Sequence, residues 1–368
     1  MILISSISDF PTNITPIIHE FSPKIKKHIF LYDKTAAPKY IKNLKNGLRH
    51  FINSHKLDMQ TSEIVIDSIE KDKLNLLVSD LLKEVKDPSE IFINAADTSP
   101  LAVWVMVEIF KQGGNVIVFD KTGNRYTLLY NDTIEVHPIS RSMNIKDYCT
   151  LLGIHISSYK TKEKILKNRE IIFRLNHNIK RFKKVRGALL SHKQDFDFSA
   201  YRDILKDLRH LRILNRHEKI INESYLSGGI FEHYIFLLAE PLGFDDILLN
   251  VEIEVGYAGL EPIKNELDIA MIKDNHFYTI ECKLGRHVKG KDIVYKYDSI
   301  IDWFGKDSKA MIVNLAKSYK KRFPYSSGSK TFSRQTIDRA LLYNIYVYYD
   351  NKIHEKNLIK TIKKFFSV

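Results

Sequence analysis

The sequence predicts a two-part chain, an α/β body followed by an α+β body, and three observations carry that expectation. Over residues 1–150 short apolar runs alternate with helix-length amphipathic stretches, the pattern of a mostly parallel sheet covered on both faces. From about residue 201 the strand-like runs come consecutively, with helices outside them, which is α+β rather than doubly wound. Charge divides at the same place. Residues 1–150 hold 18 basic and 18 acidic side chains, whereas residues 151–368 hold 39 basic and 26 acidic, so the whole net charge of +13 lies in the second part. A length of 368 residues suits two domains.

In the first part the expected strands are Ile2-Leu3-Ile4, Ile29-Phe30-Leu31-Tyr32, Ile64-Val65-Ile66, Ile91-Phe92-Ile93 and Val116-Ile117-Val118-Phe119. Helices are expected at about 36–53, 71–86 and 98–112, the last closed by Gly113-Gly114 where a helix C-cap belongs. The result is Rossmann-like, without a GxGxxG. Residues 151–200 break the rhythm with 12 basic against 4 acidic residues, concentrated in Lys180-Arg181-Phe182-Lys183-Lys184-Val185-Arg186. A solvated linker helix and a nucleic-acid contact fit that run equally. The division expected is a Rossmann-like domain at 1–145, a basic linker at 146–200 and a second domain at 201–368. In the latter, a helical stretch precedes a helix at 229–239, strands at 246–255, 266–272 and 277–283, and a helix at 289–304. A strand at Ala310 to Val313, a helix at 332–343, a strand from Asn344 to Tyr349 and a basic helix at 354–366 complete it.

Composition narrows the function. The basic excess favours an anionic partner. Cys149 and Cys282 are the two cysteines and have no CxxC spacing, which argues against a disulfide framework and a cysteine zinc site and fits a reducing cytoplasm. Met1-Ile2-Leu3-Ile4 is too brief an apolar stretch for a signal peptide, and no run has the roughly 18 apolar residues of a membrane span, so no membrane partner is expected.

The chemistry concentrates in Asn265-Glu266-Leu267-Asp268-Ile269-Ala270-Met271-Ile272, a turn at Lys273-Asp274-Asn275-His276, and Phe277-Tyr278-Thr279-Ile280-Glu281-Cys282-Lys283. This reads as a β-hairpin with Asp274-Asn275 at its tip. A symmetric turn sets Asp268 opposite Glu281 and Glu266 opposite Lys283, with all four side chains on one face. Opposed carboxylates lie only about 5 Å apart at Cβ and repel unless positive charge sits between them. A divalent cation, Mg or Mn, ligated by Asp268 and Glu281 would supply it. Lys283 could then orient or deprotonate an attacking water and stabilise a phosphoryl group. A solvated hairpin face with a Glu266–Lys283 pair is the alternative reading. Glu232 adds a carboxylate to the first turn of an otherwise apolar helix after Gly228-Gly229, as a dipole-favoured residue or as one that faces a site.

Together, Gly228-Gly229-x-x-Glu232, Asn265-Glu266-Leu267-Asp268 and Glu281-Cys282-Lys283 resemble the PD-(D/E)XK restriction-endonuclease-like core. The continuation through Asp292 to Trp303, Phe304-Gly305 and Ser308-Lys309-Ala310-Met311-Ile312-Val313 is similar to that core in CRISPR-associated effector nucleases. Those join the core to an amino-terminal CARF domain, a Rossmann-like sensor of cyclic oligoadenylate made by type III CRISPR complexes, in the order seen here. The resemblance implies a homodimer with activator bound across the sensors and metal-dependent cleavage of nucleic acid. It makes Asp268 and Glu281 metal ligands, Lys283 the catalytic lysine and Glu232 the supporting acid.

For the sensor, ligands of parallel sheets bind beyond the carboxyl ends of strands, at helix N-termini. Two loops qualify. The loop after the first strand carries Ser8, Asp9, Thr12 and Asn13, and the loop after the fourth carries Asn94, Asp97, Thr98 and Ser99; simple helix capping is the alternative for each. The second loop departs from the Asn-x-Thr-Gly-Gly-Thr-Lys-like turn associated with the family. It keeps Asn94 but lacks the Gly-Gly and the Lys, and Asp97 opposes phosphate. The expected function is a metal-dependent endonuclease of DNA and/or RNA in antiviral defence, activated by cyclic oligoadenylate, with cyclic tetra-adenylate first. A constitutive restriction or repair nuclease, and a nucleotide-sensing regulator with an inert nuclease fold, are the alternatives. Residues 201–300 are net −4, with 13 basic and 17 acidic residues, between basic flanks, which suits an acidic metal-requiring centre within a phosphate-holding surround.

Overall fold

The computed structural model describes residues 1–7, 11–34, 38–67, 70–95, 100–256, 261–284, 289–305, 307–315, 332–350 and 352–368. The first part runs β1 (Ile2–Ser6), α1 (Thr15–Phe21), β2 (Lys27–Asp33), α2 (Pro38–His55), β3 (Gln60–Ile66), α3 (Lys71–Lys83), β4 (Ile91–Asn94), α4 (Pro100–Lys111) and β5 (Asn115–Asp120). A meander of β6 (Arg125–Tyr130) and β7 (Thr133–Pro138) follows. The sheet order is β3-β2-β1-β4-β5-β6-β7; the first five strands are parallel and the last two antiparallel.

All five expected strands form: the apolar runs of β1, β2 and β4 are covered on both faces, whereas β3 and β5 bury one face and leave Val65 and Val118 exposed. Leu3 and Phe30 join one core with Ile17, Leu44, Leu48 and Phe51, while Ile2, Ile4, Ile29 and Leu31 join another with Leu74, Val78, Val105 and Ile109. Helices α1 and α2 therefore cover one face and α3 and α4 the other, as a parallel sheet requires. The β6–β7 hairpin was not foreseen. Its strands are half-exposed and weakly apolar, but Asn131 and Asp132 at its tip both have left-handed backbone, the turn chemistry such hairpins use.

The chain continues through α5 (Ile145–Leu151), β8 (Ile154–Lys160), α6 (Lys162–Lys167), α7 (Arg169–His177), α8 (Ile179–Leu190) and α9 (Arg202–His210). Then come α10 (Ile230–Ala239), β9 (Asp246–Val255), β10 (Ile263–Lys273), β11 (His276–Lys283), α11 (Gly290–Phe304), β12 (Lys309–Leu315), α12 (Arg334–Leu342), β13 (Ile345–Asp350) and α13 (Glu355–Phe366). The second sheet has the order β13-β12-β11-β10-β9-β8, antiparallel from β8 to β11 and parallel from β11 to β13.

Residues 146–200, expected as a basic linker, are instead built into this second layer. β8 is an edge strand of its sheet, and Ile165, Ile172, Leu175, Ile179, Phe182 and Val185 recur at helical spacing and bury in the core that holds α10 and α13. Much of the basic run is also engaged internally. Arg181 pairs with Asp203, Lys183 donates to the Leu315 carbonyl, and Arg186 donates to the Leu226 and Ser227 carbonyls; Lys180 and Lys184 are exposed. The two sheets share one apolar cluster, in which Tyr148 of α5, Phe277 of β11 and Phe304 of α11 stack on one another. No helix among the described residues is long and apolar enough to cross a membrane.

Candidate active site

The β10–β11 hairpin has the expected register, with Ile269 opposite Ile280 and Lys273 opposite His276. Pairing ends at Ile269–Ile280, one step short of the carboxylates. There β11 stays with β12, and the Asp268 Oδ2 atom accepts from the Cys282 N–H at 2.7 Å. Asp268 and Glu281 thus lie where two paired strands part, 7% and 3% exposed.

The surroundings of these carboxylates differ from the simple one-face expectation. The Lys283 ammonium pairs with Glu281 Oε1, not with Glu266, and the Tyr297 hydroxyl of α11 donates to Glu281 Oε2. Glu266 is joined instead to Glu232, because the Asn250 amide donates to Glu232 Oε2 at 2.8 Å and to Glu266 Oε1 at 3.1 Å. The reason is a break in strand alternation. Val251 and Leu267 pack in the cluster of α5 and α11, whereas Leu249 and Ile269, two residues away on the same strands, pack in the cluster of α10. Between them Asn250 takes a left-handed backbone, φ 48°, and the β9–β10 ladder skips Asn250 and Asp268. The fault lets a carboxylate from the α10 layer approach carboxylates that face α11.

Glu232 reaches the site from the start of α10. The preceding turn, Tyr225–Gly229, is a widened π-type turn whose Leu226 and Ser227 carbonyls are held by Arg186. A methyl group at Gly228 would sit 2.9 Å from Glu232 Oε1, so the glycine leaves room for the carboxylate to fold back over its own helix.

Electrostatics show a site short of positive charge. Burial, then the charges of Glu281 and Glu232, push the Asp268 carboxyl well above its ordinary range. Burial also raises the Glu232 carboxyl, opposed by the Asn250 hydrogen bond and by Lys160 and Lys283. Burial alone would lower the Lys283 pKa, but Glu281 and Asp268 outweigh it and raise it, so this side chain is held as ammonium. Among the described residues no three His, Cys, Asp or Glu side chains form a ready metal cage. The donor set still fits a hard divalent cation. Two buried carboxylates, one of them made reluctant to ionise by its neighbours, would be relieved by a cation whose remaining ligands are water and phosphate oxygen.

Sequence reasoning missed Asn250 and Tyr297. Asn250 left a signal, a lone polar residue inside Ile247-Leu248-Leu249-Asn250-Val251, whereas Tyr297 is one apolar-face aromatic among several on α11. Half-buried Tyr225 and buried His233, in contact through the Tyr225 hydroxyl and His233 Nδ1 at 2.9 Å, flank Glu232.

In the sensor part Thr12 and Asn13 precede Ile14, whose carbonyl accepts from Asn94, while Ser8, Asp9, Asp97, Thr98 and Ser99 lie outside the described residues. Asn94 is fully buried; it donates to the Ile14 carbonyl at 3.3 Å and approaches Ser5 Oγ at 3.5 Å. It ties the end of β4 to the turn after β1 rather than presenting an open contact. Thr12 accepts at its carbonyl from Thr15 Oγ1, and Asn13 Oδ1 is buried without a hydrogen-bond partner among the described residues.

Residues 221–320, which span Glu232, Asn250, Asp268, Glu281, Lys283 and Tyr297, match the family model described as Card1-like, endonuclease domain. Protein VC1899 from Vibrio cholerae shares 17% identity at a TM-score of 0.77, covering 100% of this chain and 98% of its own. Can2 from Sulfobacillus thermosulfidooxidans, solved with cyclic tetra-adenylate, shares 16% identity at a TM-score of 0.70, covering 100% and 99%. A type III CRISPR defence DNA nuclease activated by cyclic oligoadenylate shares 11% identity at a TM-score of 0.51, covering 94% of this chain and 52% of that one. No curated protein matches the chain. Along its whole length the chain has the fold of VC1899 and Can2, and residues 221–320 are similar to a Card1-like endonuclease domain.

Proposed function

We propose that the protein is a metal-dependent endonuclease of type III CRISPR defence, activated by cyclic oligoadenylate, with cyclic tetra-adenylate the first activator to test. The observation that carries this reading is the gathering of Asp268, Glu281 and the Lys283 ammonium at the parting of β10 and β11, inside the Card1-like segment. Residues 1–145 would be the sensor and 201–368, together with β8 and helices α6–α8 packed into the same sheet and core, the nuclease, in a cytoplasmic homodimer that binds one activator across two sensors.

Asp268 and Glu281 would hold Mn or Mg, which when bound lowers the pKa of water and offsets charge on a phosphodiester. The chain's own contribution is positioning. Lys283, kept as ammonium, donates toward a phosphate oxygen or the attacking water rather than removing its proton. Asn250 fixes Glu232 against Glu266, and Tyr297 fixes the Glu281 carboxylate from its other side. Thr12 and Asn13 would meet the activator, together with Ser8, Asp9, Asp97, Thr98 and Ser99, while Asn94 holds their loops together. DNA and RNA are both proposed substrates, held by the basic flanks without sequence preference.

The test is cleavage of labelled single- and double-stranded DNA and RNA with Mn or Mg, titrating cyclic tetra- and hexa-adenylate. Activator-dependent cleavage that disappears in Glu281→Ala is the expected result. Full activity without activator would favour the constitutive nuclease, and unchanged metal-dependent cleavage by Glu281→Ala would overturn the site.

A further inference from the structure

The turn that follows β1 touches the helix that holds Glu281. Gly305 ends α11 with φ 98°, a backbone that favours glycine, and a methyl group there would sit 2.4 Å from Thr12 Oγ1 and 2.6 Å from Thr12 Cγ2. No side chain separates the Thr12 turn from the α11 backbone. The last turn of α11 is also fastened to its neighbours. The Phe304 carbonyl accepts from the Tyr148 hydroxyl of α5 at 2.7 Å and from Ser308 Oγ at 2.8 Å, Lys121 at the end of β5 pairs with Asp307, and Phe304 stacks face to face on Phe277 at 3.8 Å. Eight residues upstream, about 12 Å along a helix, Tyr297 donates its hydroxyl to Glu281.

We propose that α11 is the mechanical link between sensor and nuclease: Thr12 and Tyr148 set the position of its carboxyl end, and Tyr297, a positioning residue, passes that position to Glu281. The inference rests on the activated-nuclease reading above and names its route of regulation. A helix of 15 residues is stiff on this scale, and close-packed groups cannot absorb a displacement by compression. A shift of the Thr12 turn when the activator binds therefore moves α11 or opens a gap beside Gly305. The tight fastening of the α11 end favours the first outcome, which alters the hold of Tyr297 on a carboxylate whose other oxygen is paired with Lys283.

Trp303, beside Phe304, gives a readout independent of cleavage. The other tryptophan is Trp104, so Trp104→Phe leaves a single reporter on α11. In that background, cyclic tetra-adenylate is expected to change Trp303 emission and to raise cleavage. Tyr148→Phe removes one oxygen and leaves Ser308 on the Phe304 carbonyl; the double variant with Ser308→Ala frees that carbonyl. Both are expected to keep activator affinity and unactivated cleavage, and the double variant to lower activated kcat about tenfold at unchanged KM, with loss of the Trp303 response. Tyr297→Phe is expected to lower activated kcat while keeping the Trp303 response, since it acts downstream of the helix end. Full activation and an intact Trp303 response in the double variant would overturn the link while leaving the activated-nuclease reading in place. Absence of activation in the parent protein would overturn both.

Discussion

The two candidate sites are built in different ways. The nuclease centre consists of side chains projected from strands and one helix, each fixed by ladder pairing or by a named hydrogen bond. The candidate sensor site is placed at the carboxyl ends of β1 and β4, where the buried Asn94 amide donates to the Ile14 carbonyl. A strand site needs particular residue types at particular spacings, because a carboxylate must sit where charge is wanted. A loop site can hold phosphate with backbone N–H groups, so its residue types are free to change. This is why Asp268, Glu281 and Lys283 match the resemblance position by position, while the second sensor loop departs from it.

The largest expected effect probes the side-chain site. Glu281→Ala should reduce cleavage by at least about 10²-fold and chelation of the divalent ion should do the same, both leaving activator binding unchanged in calorimetry. A matching loss of activator affinity would show that the two sites are not separately built. Asn250→Ala comes next. It leaves Glu232 and Glu266 without the amide between them, and a supporting residue of this kind typically changes metal affinity or activity about 10–100-fold. Isothermal titration with Mn would measure it, and wild-type affinity would mean that the break in strand alternation is incidental to the site.

Two smaller effects probe the sensor. Asn94→Ala removes the donor to the Ile14 carbonyl and should lower stability by about 1–3 kcal/mol, read as a shift in denaturant midpoint, together with weaker activator binding. An unchanged midpoint would refute the tie. His28, fully buried in the same sheet with Ser5 Oγ 3.0 Å from its Nε2, gives a pH signature. Burial pushes its pKa from 6.5 down to about 3. The unfolded chain therefore takes up a proton below pH 6.5 that the folded chain refuses until about pH 3, so the stability is present above 6.5 and is lost as pH falls through that window. At pH 4.5, two pH units below the unfolded value, the loss should be about 2.7 kcal/mol, and His28→Gln should flatten the profile. A parent profile already flat from pH 7 to 4.5 would remove His28 from the account.

Much of the architecture was legible because apolar runs and helical spacing report burial directly. The five parallel strands of the first body and the hairpin register followed from that alone, as did most helices of the second, while the β6–β7 hairpin did not. What escaped has physical causes. β8 and helices α6–α8 looked like a linker because their charge is conspicuous, yet their buried positions, Ile165, Ile172, Phe182 and Val185, obey the same spacing as any core helix. Lys283 went to Glu281 rather than Glu266 because the strands part at Asp268, and period-two reasoning assumes they do not.

By itself the amino-acid sequence determined the two-body order of the chain, most of the runs that become strands, the hairpin register up to Ile269 and Ile280, and the division of charge. These depend on residue type and local spacing. The tertiary structure decided which carboxylate receives Lys283, that Asn250 joins Glu232 to Glu266, and that Thr12 lies against Gly305 while Tyr297 reaches Glu281. Those contacts join residues far apart in the chain, and they exist because strand faults and helix packing bring distant backbones within a few ångströms, a distance no local pattern encodes.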